Sequence, residues 1–112
     1  MKMKNYLVFD AGGTFTKYAL MDENAEILEK DKVPTPDYRT KTKEDYYAVL
    51  DGVVEKYRNR IEGIAISMPG MLHNKDGYCV TAGYLAYLAG STVGTELSKR
   101  YGIQVSVEND GK

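Results

Sequence analysis

Cysteine and histidine are nearly missing from this sequence, which holds one of each, Cys79 and His73, in 112 residues. A lone cysteine excludes an intrachain disulfide, and one cysteine with one histidine leaves no structural zinc site within the segment. A reducing interior is the expected setting. Charge of one sign is missing too: 15 Lys and Arg against 16 Asp and Glu give a formal net charge of −1. Without a basic surface to hold a polyphosphate backbone, sequence-independent nucleic-acid binding is not expected. Long hydrophobic runs are also lacking. The apolar stretch Tyr6-Leu7-Val8-Phe9 stops at Asp10, too short for the core of a signal peptide and far too short for a membrane span. No Asn-x-Ser/Thr acceptor occurs. These absences point to the cytoplasm, with neither membrane nor nucleic acid as partner. What remains is 43% apolar and 28% charged, the balance of an ordinary globular domain, and the length allows one such domain with a modest core.

Hydrophobic patterning predicts an alternation of strands and helices. Asn5 to Ala11 reads as a buried strand, and Phe15 to Met21 as a second, joined through a tight turn at Ala11-Gly12-Gly13-Thr14. Asp22-Glu23-Asn24 signals another turn before a more polar edge strand, Ala25 to Val33, which Pro34 and Pro36 end. From about Thr42 to Arg60, Tyr46, Leu50, Val53, Val54 and Tyr57 recur at helical spacing, with Thr42 as N-cap. Ile61 to Ser67 is a strand ended by Pro69-Gly70. A small hairpin pairs Met71–His73 with Tyr78–Thr81 around Asn74–Gly77. Thr92 to Tyr101 is a second helix stopped by Gly102, and Ile103 to Val107 a last strand. The order β-β-β-α-β-α-β implies right-handed crossovers and a mixed five-stranded α/β sheet with helices on its faces, the first, fourth and last strands parallel.

Ligands of open α/β sheets bind outside the carboxyl ends of the parallel strands. Those ends carry Asp10, then Ser67-Met68-Pro69-Gly70, then Glu108-Asn109-Asp110. Two apolar strands thus finish in carboxylates at one edge, expected to face each other across a cleft. Beside Asp10, the glycines of Gly12-Gly13-Thr14 let backbone N–H groups approach a phosphate without a Cβ in the way. Thr14 adds a hydroxyl donor and Lys17 a point charge, and Asp10 could hold hydrated magnesium. A double glycine is also an ordinary hairpin turn, and that reading stays open from these residues alone. Neither G-x-x-x-x-G-K-[ST] nor G-x-G-x-x-G occurs, which disfavours a Walker or dinucleotide site.

Asp10-Ala11-Gly12-Gly13-Thr14-Phe15-Thr16-Lys17, then Gly63 to Gly70, then Val107-Glu108-Asn109-Asp110 together resemble the amino-terminal half of the ROK family of sugar kinases and related repressors, within the actin/hexokinase-like superfamily. The resemblance spans essentially the whole chain. It implies a ribonuclease-H-like lobe with the strand order just described. It also implies Asp110 as the base that takes the proton of the attacking sugar hydroxyl, and Asn109 as a sugar ligand. Gly12, Gly13 and Thr14 would form the first phosphate loop of an ATP site, and Asp10 would act through Mg2+. Pro69-Gly70 and the stretch around Gly83 would lie beside the sugar. Two departures stand out. Gly111-Lys112 replace the family's continuing Ala-Asn, and the carboxyl-terminal half, with its second phosphate loop, adenosine pocket and Cys/His zinc site, does not follow.

The expected function is therefore the amino-terminal half of an ATP-dependent kinase acting on a hexose or N-acyl-hexosamine. The partners implied are a small-molecule sugar, ATP with Mg2+, and a carboxyl-terminal lobe, without which this piece is expected to be inactive. Self-association is expected from the cleft face it exposes. A sugar-sensing repressor of the same family would need a helix-turn-helix ahead of the first strand, and a non-catalytic ligand-binding domain would have no use for Asp110. His73 reads as a solvated turn residue and Cys79 as a buried apolar one. Tyr46 and Tyr57 belong to the core, whereas Tyr84 and Tyr87 could pack against a second lobe or subunit.

Overall fold

Alternation in the first two strands decides which side of the sheet becomes the core. In β1 (Asn5–Ala11), Leu7, Phe9 and Ala11 are buried while Tyr6, Val8 and Asp10 face the other way. In β2 (Phe15–Asp22) the inward set is Thr16, Tyr18, Leu20 and Asp22. The computed structural model describes residues 4–70, 72–73 and 78–109. Its further elements are β3 (Ile27–Pro34), α1 (Lys43–Tyr57), β4 (Gly63–Met68), β5 (Leu72–His73), β6 (Tyr78–Cys79), α2 (Val93–Tyr101) and β7 (Gln104–Asn109). One sheet has the order β3-β2-β1-β4-β7, and β5 and β6 pair separately. Strand β2 is antiparallel to β1 and β3, whereas β1, β4 and β7 are parallel neighbours. The mixed five-stranded α/β sheet expected from the sequence is present.

The placement of the helices differs from expectation. They do not cover both faces: α1 and α2 lie together on one. Bidentate bonds from Arg100 to Asp51 (2.8 and 2.7 Å) and the Tyr101 hydroxyl on the same carboxylate (2.7 Å) join them. Tyr47 and Lys43 of α1 both reach Glu96 of α2, at 2.9 and 3.0 Å. The reason is topological. Both crossovers, β3-α1-β4 and β4-α2-β7, link parallel strands and advance in the same direction across the sheet, so one handedness puts both helices on one side. Among the described residues the opposite face has no helix over it; a groove of about 580 Å³ along it is lined by Tyr6, Val8, Met21 and Ala65, with Lys4 and Glu62 at its rim.

Element boundaries moved for local reasons. Strand β3 begins at Ile27 and not Ala25, because the Asp22 carboxylate accepts from the N–H groups of Asn24 (2.8 Å) and Glu26 (3.0 Å), folding a turn in which Ala25 takes φ 64. After α1 the chain tightens into a 3-10 turn, Arg58–Arg60, so β4 starts two residues later than Ile61. Strand β7 runs on to Asn109, past Val107. The small hairpin is shorter than expected, and Met71 and its turn at Asn74–Gly77 lie outside the described residues. A 3-10 segment at Gly83–Leu88 had no counterpart in the sequence reading. It buries Leu85 and Leu88 completely, but six residues are too few for a periodic signal.

The helix signals behaved as their chemistry requires. Thr42 caps α1 in a reciprocal box with Asp45: the Thr42 N–H donates to the Asp45 carboxylate (2.8 Å) and its hydroxyl accepts from the Asp45 N–H (3.4 Å). Gly102 ends α2 in the left-handed region at φ 72. Every apolar position assigned to the inner face of α1 is buried, and Tyr47 joins them. Edge strand β3 is charged and exposed over Glu29, Lys30, Asp31 and Lys32, which discourages pairing with another chain.

Removing the cap with Thr42→Ala should destabilise the fold by about 1 kcal/mol. Emptying the fully buried Leu97 site with Leu97→Ala should cost about 2–5 kcal/mol. Equal losses in chemical denaturation would contradict this account of the core. Burial raises the phenols of Tyr46 (up to about 12), Tyr47, Tyr87 and Tyr101. The folded chain thus keeps protons that the unfolded chain releases near pH 10. This contribution is complete below that pH and is lost as pH rises from about 10 through the folded values. Tyrosinate absorbance should therefore rise in two stages, exposed rings first and the buried set only with cooperative unfolding. A single gradual titration would count against it.

Candidate active site

The order in which strands are added changes direction between the parallel neighbours β1 and β4: β2 and β3 build out on one side, β4 and β7 on the other. The loops leaving the carboxyl ends of β1 and β4 therefore open side by side, the place where α/β sheets admit ligands. The first loop is Gly12-Gly13-Thr14. Its own closure is the Gly12 N–H donating to the Phe15 carbonyl at 3.1 Å, and Thr35 clasps it from below. The Thr35 N–H donates to the Thr14 carbonyl (2.9 Å), and the Thr35 hydroxyl to the Gly12 carbonyl (2.8 Å). Behind Thr35 the buried hydroxyls of Thr16 and Tyr46 continue the contact at 2.9 and 3.0 Å. Burial, with a contribution from the Asp10 charge, pushes the Tyr46 phenol up to about 12, so it stays protonated.

The second loop is Pro69-Gly70. At φ 98, a conformation natural only to glycine, Gly70 lies so close to the Thr81 carbonyl that a Cβ would run into it. The Asn109 side-chain amide donates to the Gly70 carbonyl, tying the end of β7 to this loop. Gly83 lies over Pro69, and the next residue, Tyr84, reaches across to the first loop. A Cβ on Gly13 would stand 2.9 Å from the Tyr84 ring. Contacts thus link Asn109 to Gly70, Gly70 to Thr81, Gly83 to Pro69 and Tyr84 to Gly13. Beside them a concavity of about 640 Å³ is lined by Gly13, Thr14, Thr35, Tyr38, Arg39 and Tyr84. Arg39 is held by Asp37 across its rim (2.9 Å), which keeps that carboxyl below its usual range.

Two predicted site residues lie elsewhere. Strand register places Lys32, Lys17, Asp10, Ser67 and Glu108 in one row across the sheet, and residues of one row share a face. Asp10, exposed, and Lys17 directly opposite it are therefore on the face away from the helices, beside a cavity of about 500 Å³. The sequence grouped Lys17 with the glycine loop; the structure pairs it with Asp10. Gly12, Gly13, Thr14, Pro69, Gly70, Gly83 and Asn109 do gather at the loop edge. Asp110, Lys112 and the side chain of His73 lie outside the described residues, so the pairing of Asp10 with Asp110 across a cleft is not described. Cys79 is buried and free of any disulfide, with its thiol pushed up to about 11 by burial and then by Glu96.

Sequence reading missed Thr35 and Thr16, and gave Tyr84 as a contact for a second lobe or subunit without placing it at the glycine loop. Thr16 carried a usable signal: it is a polar residue at an inward position of a strand whose next inward members are Tyr18 and Leu20. Thr35, between two prolines, looked only like the start of a loop. Tyr84 is exposed, and nothing in its spacing sets it against Gly13. Tyr87, which could pack against a second lobe or subunit, packs on Tyr46 with ring centroids 5.8 Å apart and donates to the Pro36 carbonyl at 2.9 Å.

Relatives share both the fold and the sequence. An N-acetyl-D-glucosamine kinase of Vibrio atlanticus is 34% identical over 111 residues, covering 94% of this chain and 34% of its own. A ROK family protein from Streptococcus pneumoniae, solved in complex with sucrose, superposes with a TM-score of 0.80 at 30% identity, over 95% of this chain and 34% of that one. A ROK family glucokinase from Streptomyces griseus, solved with glucose and AMPPNP, gives 0.80 at 25% identity, over 95% and 33%. The chain thus spans about a third of the length of the relatives it matches. The sequence pattern of the ROK family covers residues 6–112, and the chain belongs to that family.

Proposed function

We propose that this chain is the amino-terminal lobe of an ATP-dependent sugar kinase, which transfers the γ-phosphoryl group to a hydroxyl of a hexose or N-acyl-hexosamine. The observation that carries this reading is the meeting of two loops at the switch point: a clasped Gly12-Gly13-Thr14 turn and a Gly70 loop bonded to Asn109. The first offers backbone N–H groups and the Thr14 hydroxyl to a phosphate, without a side chain between them. The second offers the Asn109 amide and the Pro69, Gly70 and Gly83 backbone to a polyol. The names of the relatives, a kinase for N-acetyl-D-glucosamine and a glucokinase bound to glucose and an ATP analogue, support the same substrate classes.

In this reading Asp110, directly after Asn109, accepts the proton of the attacking hydroxyl. Lys17 lends positive charge from the far side of Asp10, where it tempers the carboxylate or reaches a phosphate oxygen. Asp10 would hold Mg2+ through water. The donor suits that ion in kind: Asp10 is an exposed carboxylate at the end of β1, and magnesium ordinarily takes one or two carboxylates and keeps most of its waters. When bound, the ion would neutralise charge on the phosphates. The nucleotide base and part of the sugar would be held by a carboxyl-terminal lobe, so the chain alone is inactive.

Coupled ATP turnover with a panel of hexoses and N-acyl-hexosamines tests the proposal, using the chain alone and the complete gene product that contains it. Turnover should appear only in the complete protein, and Asp110→Asn should lower kcat at least about a hundredfold. If no sugar stimulates turnover while sugars still bind, the sugar-sensing repressor takes the place of the kinase. Gly13→Ala separates the two halves of the site: crowding against Tyr84 should raise KM for ATP and leave the sugar KM nearly unchanged. An equal effect on both would contradict the assignment of this loop to phosphate.

A further inference from the structure

Three buried hydroxyls lie in a line beneath the glycine loop. Tyr46 Oη is 3.0 Å from Thr16 Oγ1, which is 2.9 Å from Thr35 Oγ1, which is 2.8 Å from the Gly12 carbonyl oxygen. Tyr46 is 2% exposed, Thr16 0% and Thr35 9%. The direction of every bond in this line follows from its last member. A carbonyl oxygen only accepts, so Thr35 spends its single hydroxyl proton on Gly12. Thr35 must then accept from Thr16, and Thr16 from Tyr46. The line is a polarised chain running from the tyrosine to the loop, in which each bond strengthens the next.

Packing alone does not call for these hydroxyls. Valine nearly matches the shape of threonine and phenylalanine that of tyrosine, and burying a hydroxyl is unfavourable unless it is bonded. What the chain accomplishes lies in the Gly12–Gly13 peptide. In a trans peptide the C=O and N–H point in opposite directions. With the Gly12 carbonyl drawn inward to Thr35, the Gly13 N–H points outward, away from the core. Among the described residues it has no recorded acceptor, and Gly13 lines the 640 Å³ concavity at the loop edge. The second clasp, from the Thr35 N–H to the Thr14 carbonyl, holds the other end of the turn in the same sense.

We propose that Thr35, backed by Thr16 and Tyr46, is a positioning residue that aims the Gly13 amide at a phosphate of the nucleotide. This rests on the kinase reading of the loop and adds the group that sets its direction. The chain touches no substrate; it acts by preventing the peptide from turning over, so the donor is in place before phosphate arrives.

The test is a titration of the isotope-labelled 112-residue chain with inorganic tripolyphosphate and Mg2+, following the Gly13 amide resonance. In the wild type this amide should shift strongly. Thr35→Val keeps the shape and removes the hydroxyl; it should weaken tripolyphosphate binding roughly fivefold to tenfold and shrink the Gly13 shift. Thr35→Ser should restore binding to within about twofold of wild type. Tyr46→Phe, which removes only the first donor, should weaken it by a smaller factor, and it carries the comparison if Thr35→Val does not fold. A wild-type response in Thr35→Val, or in Tyr46→Phe where that variant stands in, overturns the inference. So does a Thr35→Ser variant as weak as the valine, since the methyl group would then matter and not the bond. A wild-type Gly13 amide indifferent to tripolyphosphate removes the phosphate reading itself, and the inference with it.

Discussion

Two crossovers of one hand, both stepping the same way across the sheet, fix most of what this chain can be. Once β3 leads through α1 to β4, and β4 through α2 to β7, both helices must share a side. All connections leaving the carboxyl ends of β1 and β4 then open at a single edge. The helix face becomes the core, and the charged row from Lys32 to Glu108 is left on the other. Arg100 and Asp51, with Tyr101 behind them, clamp the two helices to each other. Burial works against a charge on Glu96, yet bonds from Lys43 and Tyr47 outweigh it and keep its carboxyl below the ordinary value. The clamp is electrostatic, set beside a layer that is mostly apolar.

Within that layer one polar seam interrupts the apolar packing, and it runs to the loop edge. Natural cores seldom keep three linked hydroxyls without a reason, because each must find a partner or be a liability. Here they all do, and among the described residues no buried side-chain nitrogen or oxygen is left without one. The glycines at the same edge are a different solution to a related problem. Gly13 yields space to an aromatic ring and Gly70 to a carbonyl, so loops from three strands approach more closely than side chains would permit. Close approach and directed bonds together hold an irregular surface in a definite shape.

Much of this was legible in the residues. The helix faces, the Thr42 cap, the Gly102 stop and the glycine hairpin follow from local chemistry acting over a few positions, and each occurs where the sequence placed it. Strand order needed only the crossover rule. What stayed hidden depends on pairs distant in sequence: Thr35 with Gly12, Asn109 with Gly70, Tyr84 with Gly13. None of these has a spacing signature, because the fold and not the chain brings them together. The single-sided helices were derivable from the same reading, since with β3 at the edge the direction of travel and the handedness suffice. The neighbours of Lys17 are likewise set by the fold. Proximity in sequence to the glycine loop suggested a shared task, while the alternation of β2 turns its side chain to the face of Asp10.

Cys79 shows how closely the site and the core are joined. Its buried sulfur lies 4.0 Å from that of Met68, the last residue of β4 before the Pro69-Gly70 loop, and its backbone is bonded to Ser91 and Gly90 at the approach to α2. With the thiol pushed up to about 11, little thiolate exists near neutrality, and its burial in the folded chain keeps reagents away. The only sulfhydryl of the chain is therefore a silent label beneath the floor of the loops. Its rate of alkylation measures how often that floor opens, separately from any unfolding of the sheet edge at β3.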